Sequence, residues 1–506
     1  MSVQTFCASP WKNSHEAYED SVFNIRPAPE FSTAEVAVAS LYRASGYPQC
    51  AETEVPKAGR EFDRSSLSIK ASANNPGAIQ ADTWRTILHG VLESPKQPNQ
   101  SSQRFLQLCP LVPDVALYSG SARLSGNSWN PGALLQRMIQ IGAGSHQEAQ
   151  ALWSRLFQAL SVTEKDDVWA RWLQEEFSRR QTPTREWKET PLVEVPGIPD
   201  LEKSRLRYPA KQFVKDLDAI IEAKQSMTRR QWISLLESLI RLAAVMHVLW
   251  LCRVNDRLWK VMGAILGQGE AVIPTSEEEV CRQIVMGENR YLSYGNPAMP
   301  TIKDYASGYL AARAGVNLVL WSLKEEGVEI KRLQSSQDIF RMLEVVKTNK
   351  EKLAARDILR AWYGIQDEEA RTIGCKKGIG SNLIEFSRHT LGQRKATNES
   401  LRGYDQSYFL YKRGEARNSP WVLSLGPVAV LGVVHCCLRG AGGPRSVQRL
   451  SDHLAWYGIE VDVDNIHASE LGKTLRMLGL VLDSPDAESG MLLVPPFASA
   501  MGTVEK

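Results

Sequence analysis

The sequence predicts a mainly α-helical protein of several domains, and three observations carry this prediction. The chain of 506 residues is long for one hydrophobic core, since domains usually have roughly 100–200 residues. Its composition, 43% hydrophobic and 23% charged, is typical of globular proteins and excludes a fibrous or disordered chain. Between residues 132 and 363, apolar side chains recur at helical spacing in most segments.

Proline content and composition divide the chain into segments. Prolines cluster between Thr182 and Pro199, and each one removes a backbone donor and disfavours a helix before it. Before residue 131, stretches rich in Pro, Ser, Asn and Gln favour loops, with one helical segment from Thr33 to Ala44. We therefore predict, in chain order, a loop-rich N-terminal region (1–130), a helical subdomain (131–181), a Pro-rich linker (182–207), a helical bundle (208–370), a basic segment (371–420), a C-terminal module (421–497) and a tail (498–506).

The spacing of apolar residues predicts individual helices within these segments. The helical subdomain fits three amphipathic helices between Gly132 and Arg180. In the helical bundle, the longest periodic stretch extends from Thr228 to Leu266, and Thr228 can cap the free amides at its start. The other helices expected in the bundle cover Phe213 to Ala223, Tyr305 to Glu325, Ser336 to Val346 and Leu353 to Tyr363.

Cysteine usage and apolar runs bear on the compartment. The eight cysteines include no Cys-x-x-Cys pair, so we expect reduced thiols, no structural metal and a cytoplasmic protein. The N-terminus lacks a basic region followed by an apolar stretch, so no secretory signal is expected. The longest apolar run, Leu242 to Cys252, is shorter than the roughly 18 residues that a membrane helix needs. We therefore expect no membrane partner.

No familiar catalytic motif is visible. A Walker loop, a Gly-x-Ser-x-Gly elbow, a His-Glu-x-x-His pair and a kinase signature are all absent from the sequence, and no cofactor is expected. Glu385 and His389 lie four residues apart and would share one helix face, where they could act as acid and base. A surface ion pair explains the same spacing.

A glycine-rich phrase, Gly374 to Asn382, leads into a predicted helix from Leu383 to Leu391. Free backbone amides at a helix start carry partial positive charge, and Lys376 and Lys377 add full charges, so the turn could hold a phosphate. Its spacing does not match a nucleotide-binding P-loop. A plain helix-capping loop is the alternative interpretation.

The basic segment holds ten basic and four acidic side chains, so its net charge is +6. Aromatic residues are interleaved with the cations, as a surface that follows a nucleic-acid backbone requires. A solvated surface around one strand, Tyr408 to Lys412, explains the same residues. The candidate nucleic-acid contacts in this segment are Lys376, Lys377, Arg388, Arg394, Lys395, Arg402, Lys412 and Arg413.

The C-terminal module has the clearest pattern of the chain. It fits three helices, followed by Gly479 at a helix end and by two short apolar strands joined by a polar turn from Asp483 to Gly490. The three predicted helices cover Pro427 to Leu438, Ser446 to Tyr457 and Asn465 to Leu478.

Three helices and a hairpin in this order resemble the winged-helix domains of bacterial DNA-binding proteins, over about 75 residues and without a family-specific motif. The resemblance implies that the third helix enters a major groove, with candidate readers His467, Lys473, Thr474 and Arg476. One feature departs from the pattern. The turn of the wing is acidic, and residues 421–506 carry six basic and nine acidic side chains, so the module is expected to dock a protein instead.

These observations lead to one function hypothesis with two alternatives. The chain is expected to be a non-enzymatic DNA-binding or adaptor subunit of a bacterial multi-protein assembly, with double-stranded DNA and other protein subunits as partners. Phage-defence systems contain subunits of this general build, which is an analogy of architecture. The alternatives are an enzyme that acts on nucleic acid through Glu385 and His389, and a purely structural scaffold.

Overall fold

The computed structural model of the protein describes most of the chain. Arg402, the turn from Asp483 to Gly490, part of the Pro-rich linker and the tail 498–506 lie outside the described residues. The described residues are 2–25, 34–47, 92, 94, 96, 108–117, 131–178, 185–193, 207–286, 290–396, 404–482 and 491–497.

Helices dominate the described residues, which confirms the prediction of a mainly helical protein. In chain order they are α1 (Val3–Ala8), α2 (Glu16–Glu19), α3 (Ala34–Gly46), α4 (Pro113–Ala116), α5 (Pro131–Gly142), α6 (His146–Leu160), α7 (Val168–Ser178), α8 (Pro209–Ala223), α9 (Arg229–Ile265), α10 (Glu277–Val280), α11 (Met299–Glu325), α12 (Ser336–Thr348), α13 (Lys350–Ala355), α14 (Ile358–Glu368), α15 (Ala370–Ile373), α16 (Gly378–Leu391), α17 (Pro427–Leu438), α18 (Gln448–Trp456) and α19 (Glu470–Met477). One π-helical turn, Cys281–Met286, follows α10.

Helix α9 is the centre of the fold. It begins where the sequence predicts, because the Thr228 hydroxyl accepts a hydrogen bond from the Gln231 amide and the Gln231 side chain returns the contact. Among the described residues it is the one helix long and apolar enough to cross a membrane, and its apolar stretch lies entirely inside the protein. A helix that is apolar on all sides needs such a surrounding.

Other helices enclose α9 on all sides. Helix α11 makes the most extensive contact, and α3, α8, α16 and α17 cover the remaining surface. The two long helices approach closely at Gly315, where an added Cβ would lie 2.5 Å from the Trp259 ring. The described buried side chains form one continuous hydrophobic core. The division into seven segments stays a prediction.

Two predicted helices differ from the structure for local reasons. The helix expected from Leu353 to Tyr363 is divided into α13 and α14, because Asp357 adopts a left-handed conformation with φ of 48°. The third helix of the C-terminal module is shorter than expected. Ser469 caps its start by accepting from the Gly472 amide, and a 3-10 turn, Ile466–Ala468, precedes it.

The strands within the described part of the chain are short and form three small sheets. β2 (Leu410–Lys412) pairs with β3 (Trp421–Leu423) in antiparallel register, with Leu410 opposite Leu423. β1 (Leu292–Ser293) and β5 (Ile459–Glu460) are parallel and connect the helical bundle to the C-terminal module. The third sheet is antiparallel with the order β4-β7-β6, from the strands β4 (Arg445–Ser446), β6 (Val481–Leu482) and β7 (Leu492–Leu493).

Candidate functional site

The glycine-rich phrase forms a tight turn before α16. Gly378 and Cys375 both have φ of 58°, a conformation that glycine adopts without steric cost. Lys377 precedes the helix in an extended conformation, and no side chain caps the first amides of α16. Lys376 and Lys377 are exposed beside these amides, and Lys377 Nζ lies 3.6 Å from a Glu369 carboxylate oxygen.

The other end of α16 carries Arg388 and His389. The Arg388 guanidinium lies 3.1 Å from His389 Nε2, which it reaches as a donor when the ring is neutral. Burial, together with the positive charges of Arg394 and Arg388, lowers the pKa of His389 to about 3. The imidazole is therefore neutral in the physiological range.

The structure does not bring Glu385 and His389 into contact. They lie one turn apart on α16, but the described structure has no hydrogen bond or ion pair between them. A neutral imidazole also gives no ion pair with a carboxylate. Their proposed use as an acid and base stays a hypothesis that no contact here supports.

Arg394, a candidate phosphate contact, is half-buried, and its role in binding phosphate stays a prediction. Its backbone amide donates to Asp405 Oδ2 over 2.7 Å. Burial lowers the pKa of its guanidinium to about 10, with a further contribution from the nearby charge of Arg241. Its neighbour Lys395 is exposed. The side chains of these two adjacent cations thus differ in their exposure to solvent.

The charges near Arg394 belong to a set that we call the buried ionic cluster, formed by Glu35, Lys96, Glu237, Arg241 and Asp405. Lys96 Nζ lies 2.6 Å from a Glu237 oxygen, 3.4 Å from Glu35 and 3.9 Å from Asp405. Arg241 contacts Asp405 at 2.9 and 3.3 Å. All five side chains are almost completely buried.

Arg241, on α9, makes several hydrogen bonds to the basic segment. Its guanidinium donates to the carbonyls of Thr390, over 2.7 Å, and Gly392, over 2.8 Å, at the end of α16. Together with the contacts to Asp405, these bonds occupy the planar fork of the guanidinium. The path of the chain after α16 is therefore fixed by one buried arginine.

The cluster fixes the charge state of its members. Burial would raise the pKa of Asp405, but the charges of Arg241 and Lys96 outweigh it and hold that pKa at about 2. Burial disfavours the charged form of Lys96, yet Glu237, Glu35 and Asp405 raise its pKa above the ordinary value. For Glu237 burial prevails over Lys96, so its pKa is raised. Each cation of the cluster thus lies beside buried carboxylates that stabilise its charge.

A cavity of about 200 Å³ adjoins the buried ionic cluster and is lined by Glu35, Lys96 and Glu237. Arg230 donates to the Tyr404 hydroxyl over 2.8 Å, and both residues line the cavity. Sequence reasoning missed this site, because its members come from distant segments. The one signal was the pair of charges, Glu237 and Arg241, at helical spacing in the most apolar helix.

The remaining candidate cations of the basic segment lie near β2. Lys412 is half-buried within the strand, and Arg413 is exposed just after it. Gly392 and Leu410 form a parallel β-bridge. The segment from Gly392 to Lys395 therefore runs in the same direction as the segment from Leu410 to Lys412. Arg402 lies outside the described residues.

The candidate readers on and before α19 contact their own helix and turn. Lys473 Nζ lies 2.9 Å from a Glu470 oxygen, and the Thr474 hydroxyl donates to the Glu470 carbonyl over 2.9 Å. Arg476 donates to the His467 carbonyl over 2.9 Å, and its second terminal nitrogen lies 3.3 Å from His467 Nδ1. Glu470 thus partly compensates the charge of Lys473, and the guanidinium of Arg476 is held by two hydrogen-bond contacts to His467.

The surface next to these residues is apolar. Met477, at the end of α19, is 78% exposed, and Leu482, in β6, is 53% exposed. This part of the C-terminal module therefore differs from the basic segment in both charge and polarity.

Comparisons with known proteins assign no family. No protein-family model matches the chain, and no curated protein matches it. The function therefore has to be argued from the residues themselves.

Proposed function

We propose that this protein is a non-enzymatic DNA-binding adaptor subunit of a bacterial multi-protein assembly. The basic segment binds the phosphate backbone of duplex DNA, and the C-terminal module docks a partner protein. The observation that carries the proposal is the contrast in available charge. Lys376, Lys395 and Arg413 are exposed and form no ion pair among the described residues, whereas Lys473, also exposed, pairs with Glu470, and the exposed Arg476 donates to the His467 carbonyl.

The geometry of α16 suits a phosphate backbone. Its 14 residues give a length of about 20 Å, and cations flank both ends. One DNA strand presents a phosphate about every 3.4 Å, so this length spans roughly six phosphates. The uncapped amides at the start of α16 add a partial positive charge beside Lys376 and Lys377. Phosphate contacts carry no base information, so binding is non-specific.

The C-terminal module is proposed to be a winged helix. What supports this is the order α17, β4, α18, α19, β6 and β7, together with the pairing of β7 with both β4 and β6. Its proposed role in docking is supported by the exposed Met477 and Leu482 and by the acidic charge of residues 421–506. Membership of a phage-defence system is part of the proposal by analogy of architecture alone.

The test is the binding of the purified chain to short DNA duplexes of unrelated sequences, followed by fluorescence anisotropy. We expect similar affinities for all duplexes at low salt and a steep loss of affinity as salt is raised, because bound phosphates release their counterions. Absence of binding at low salt, or an affinity that salt does not change, would overturn the proposal.

A further inference from the structure

A second groove, of about 360 Å³, lies where α8 meets α17 and α18. Its volume falls within the range of roughly 300–1,000 Å³ that small-molecule sites have. None of its lining residues belongs to the basic segment. The groove is therefore separate from the surface proposed to bind DNA.

The floor of the groove is a buried hydrogen-bond network around Asp216. The Asp216 carboxylate accepts from Gln212 Nε2 over 2.7 Å and from the Tyr457 hydroxyl over 2.8 Å. His453 Nε2 lies 3.0 Å from the same oxygen that Tyr457 contacts. Because these contacts occupy the carboxylate, the floor is a fixed surface that joins α8 to α18.

Two cations of the walls have no carboxylate at ion-pair distance among the described residues. The Lys215 ammonium lies 4.6 Å from the centre of the Trp456 ring, which attracts it through the ring electrons. Arg449 donates from Nε to the Cys437 carbonyl. The third cation, Arg439, differs from them because it contacts Asp218 and Glu222 outside the groove.

Among the charges that act on Lys215, only Asp216 opposes its positive charge. Partial burial, Lys211 and Arg207 lower the pKa of Lys215, and Asp216 raises it. The other carboxylate of the walls, Asp452, is exposed and accepts from Gln448 over 2.9 Å. An anion placed between Lys215 and Arg449 would find two donors of full charge.

We propose that this groove binds a small phosphorylated ligand, with its phosphate between Lys215 and Arg449 and its organic part against Trp456. An ammonium and a guanidinium are the side chains that hold phosphate oxygens most strongly. The ligand would lie across the contact between α8 and the C-terminal module. This inference goes beyond DNA binding and does not depend on it.

The test uses the full chain in calorimetric titrations with inorganic phosphate and with AMP. We expect saturable binding of AMP that is tighter than that of phosphate, since only AMP has a ring to contact Trp456. Lys215→Ala and Arg449→Ala should each weaken AMP binding by about tenfold, because each removes a charge-assisted hydrogen bond. Both side chains are exposed, so these variants should fold.

Lys352→Ala is the matched control, because it removes an exposed cation of α13 that belongs to neither the groove nor the basic segment. It should leave AMP binding unchanged. Failure of both probes to bind saturably would overturn the inference, and so would an equal loss of AMP binding in the Lys352 variant. Loss of duplex-DNA affinity in the Lys215 and Arg449 variants, without a change for AMP, would also overturn it by assigning the groove to DNA.

Discussion

The basic segment and α19 are both rich in cations for their length, but they differ in what those cations contact. Lys376, Lys395, Lys473 and Arg476 are all exposed. Lys376 and Lys395 form no ion pair among the described residues, whereas Lys473 contacts Glu470 and Arg476 contacts His467. Beside α19 the surface is apolar, and beside α16 it is basic. The proposed DNA binding therefore depends on cations that remain without an ion pair after folding, and a count along the chain does not identify them.

The same distinction operates within the basic segment. Asp405 is fully buried against Arg241, and Arg394 lies beside them, while Lys395 and Arg413 are exposed. We therefore assign the segment two tasks. Its buried charges hold it to α9, and its exposed charges are available to a ligand.

The largest effect should follow from removing the anchor of the segment. Asp405→Asn removes the carboxylate that contacts Arg241 at two oxygens and leaves it Glu237, at 3.3 Å, as a buried carboxylate partner, so the free energy of unfolding should fall by about 3–5 kcal/mol. Urea unfolding measures this. Glu415→Gln changes an exposed acid of the same segment and should have an effect within about 0.5 kcal/mol. An equal loss of unfolding free energy in the two variants would contradict the distinction between buried and exposed charges.

Acid should destabilise the folded protein through a buried histidine, His247. His247 is fully buried against Trp250, neither ring nitrogen has a partner among the described residues, and burial lowers its pKa to about 3. Below about pH 6.5 the unfolded chain gains a proton at this residue that the folded chain excludes. Above about pH 6.5 protonation of His247 therefore does not reduce the free energy of unfolding. As the pH falls from there toward 3, the free energy of unfolding decreases.

The His247→Phe variant checks the pH prediction. Phenylalanine retains an aromatic ring next to Trp250 but cannot be protonated, so the variant should lose less stability than the wild type between pH 7 and pH 5. Unfolding midpoints at the two pH values give the comparison. A wild type whose stability is the same at pH 7 and pH 5 would contradict the account.

A smaller effect is expected at the apolar surface beside α19. Met477→Asp places a charge at a position that is 78% exposed, so folding and DNA affinity should change little. Association with a partner protein should weaken, because burial of the new charge costs free energy. Co-purification from native lysate measures it. Weaker DNA binding with unchanged co-purification would reverse the roles of the two regions.

The smallest effect concerns Glu385 and His389. Because no contact joins them, a double-mutant cycle with Glu385→Gln and His389→Ala should give a coupling energy below about 0.5 kcal/mol. DNA binding should be retained in both variants. A biological activity that both changes abolish, without loss of stability or DNA binding, would favour the enzyme hypothesis.

The sequence predicted the parts of the fold that depend on local patterns. The three helices between Gly132 and Arg180 and the long helix after Thr228 follow from apolar spacing and capping, and the structure confirms them. The division at Asp357 depends on one backbone conformation, which spacing does not reveal.

The candidate site was harder to predict, because it depends on contacts between distant segments. Glu35, Lys96 and Asp405 meet on α9 from positions that are far apart along the chain. The sequence therefore does not distinguish Arg394, which is half-buried, from its exposed neighbour Lys395. Lys376 and Lys395 are exposed, and their role in nucleic-acid binding stays a prediction.

The most direct measurement of the central claim is the slope of the logarithm of DNA affinity against the logarithm of salt concentration. Each phosphate contact contributes about 0.9 to this slope. A triple variant should bind duplex DNA more weakly and have a slope flatter by about three. It combines Lys376→Glu, Lys377→Glu and Lys395→Glu. The variant Lys473→Glu, Arg476→Glu should retain both the affinity and the slope of the wild type. Loss of DNA binding in the second variant, with no change in the first, would contradict the account.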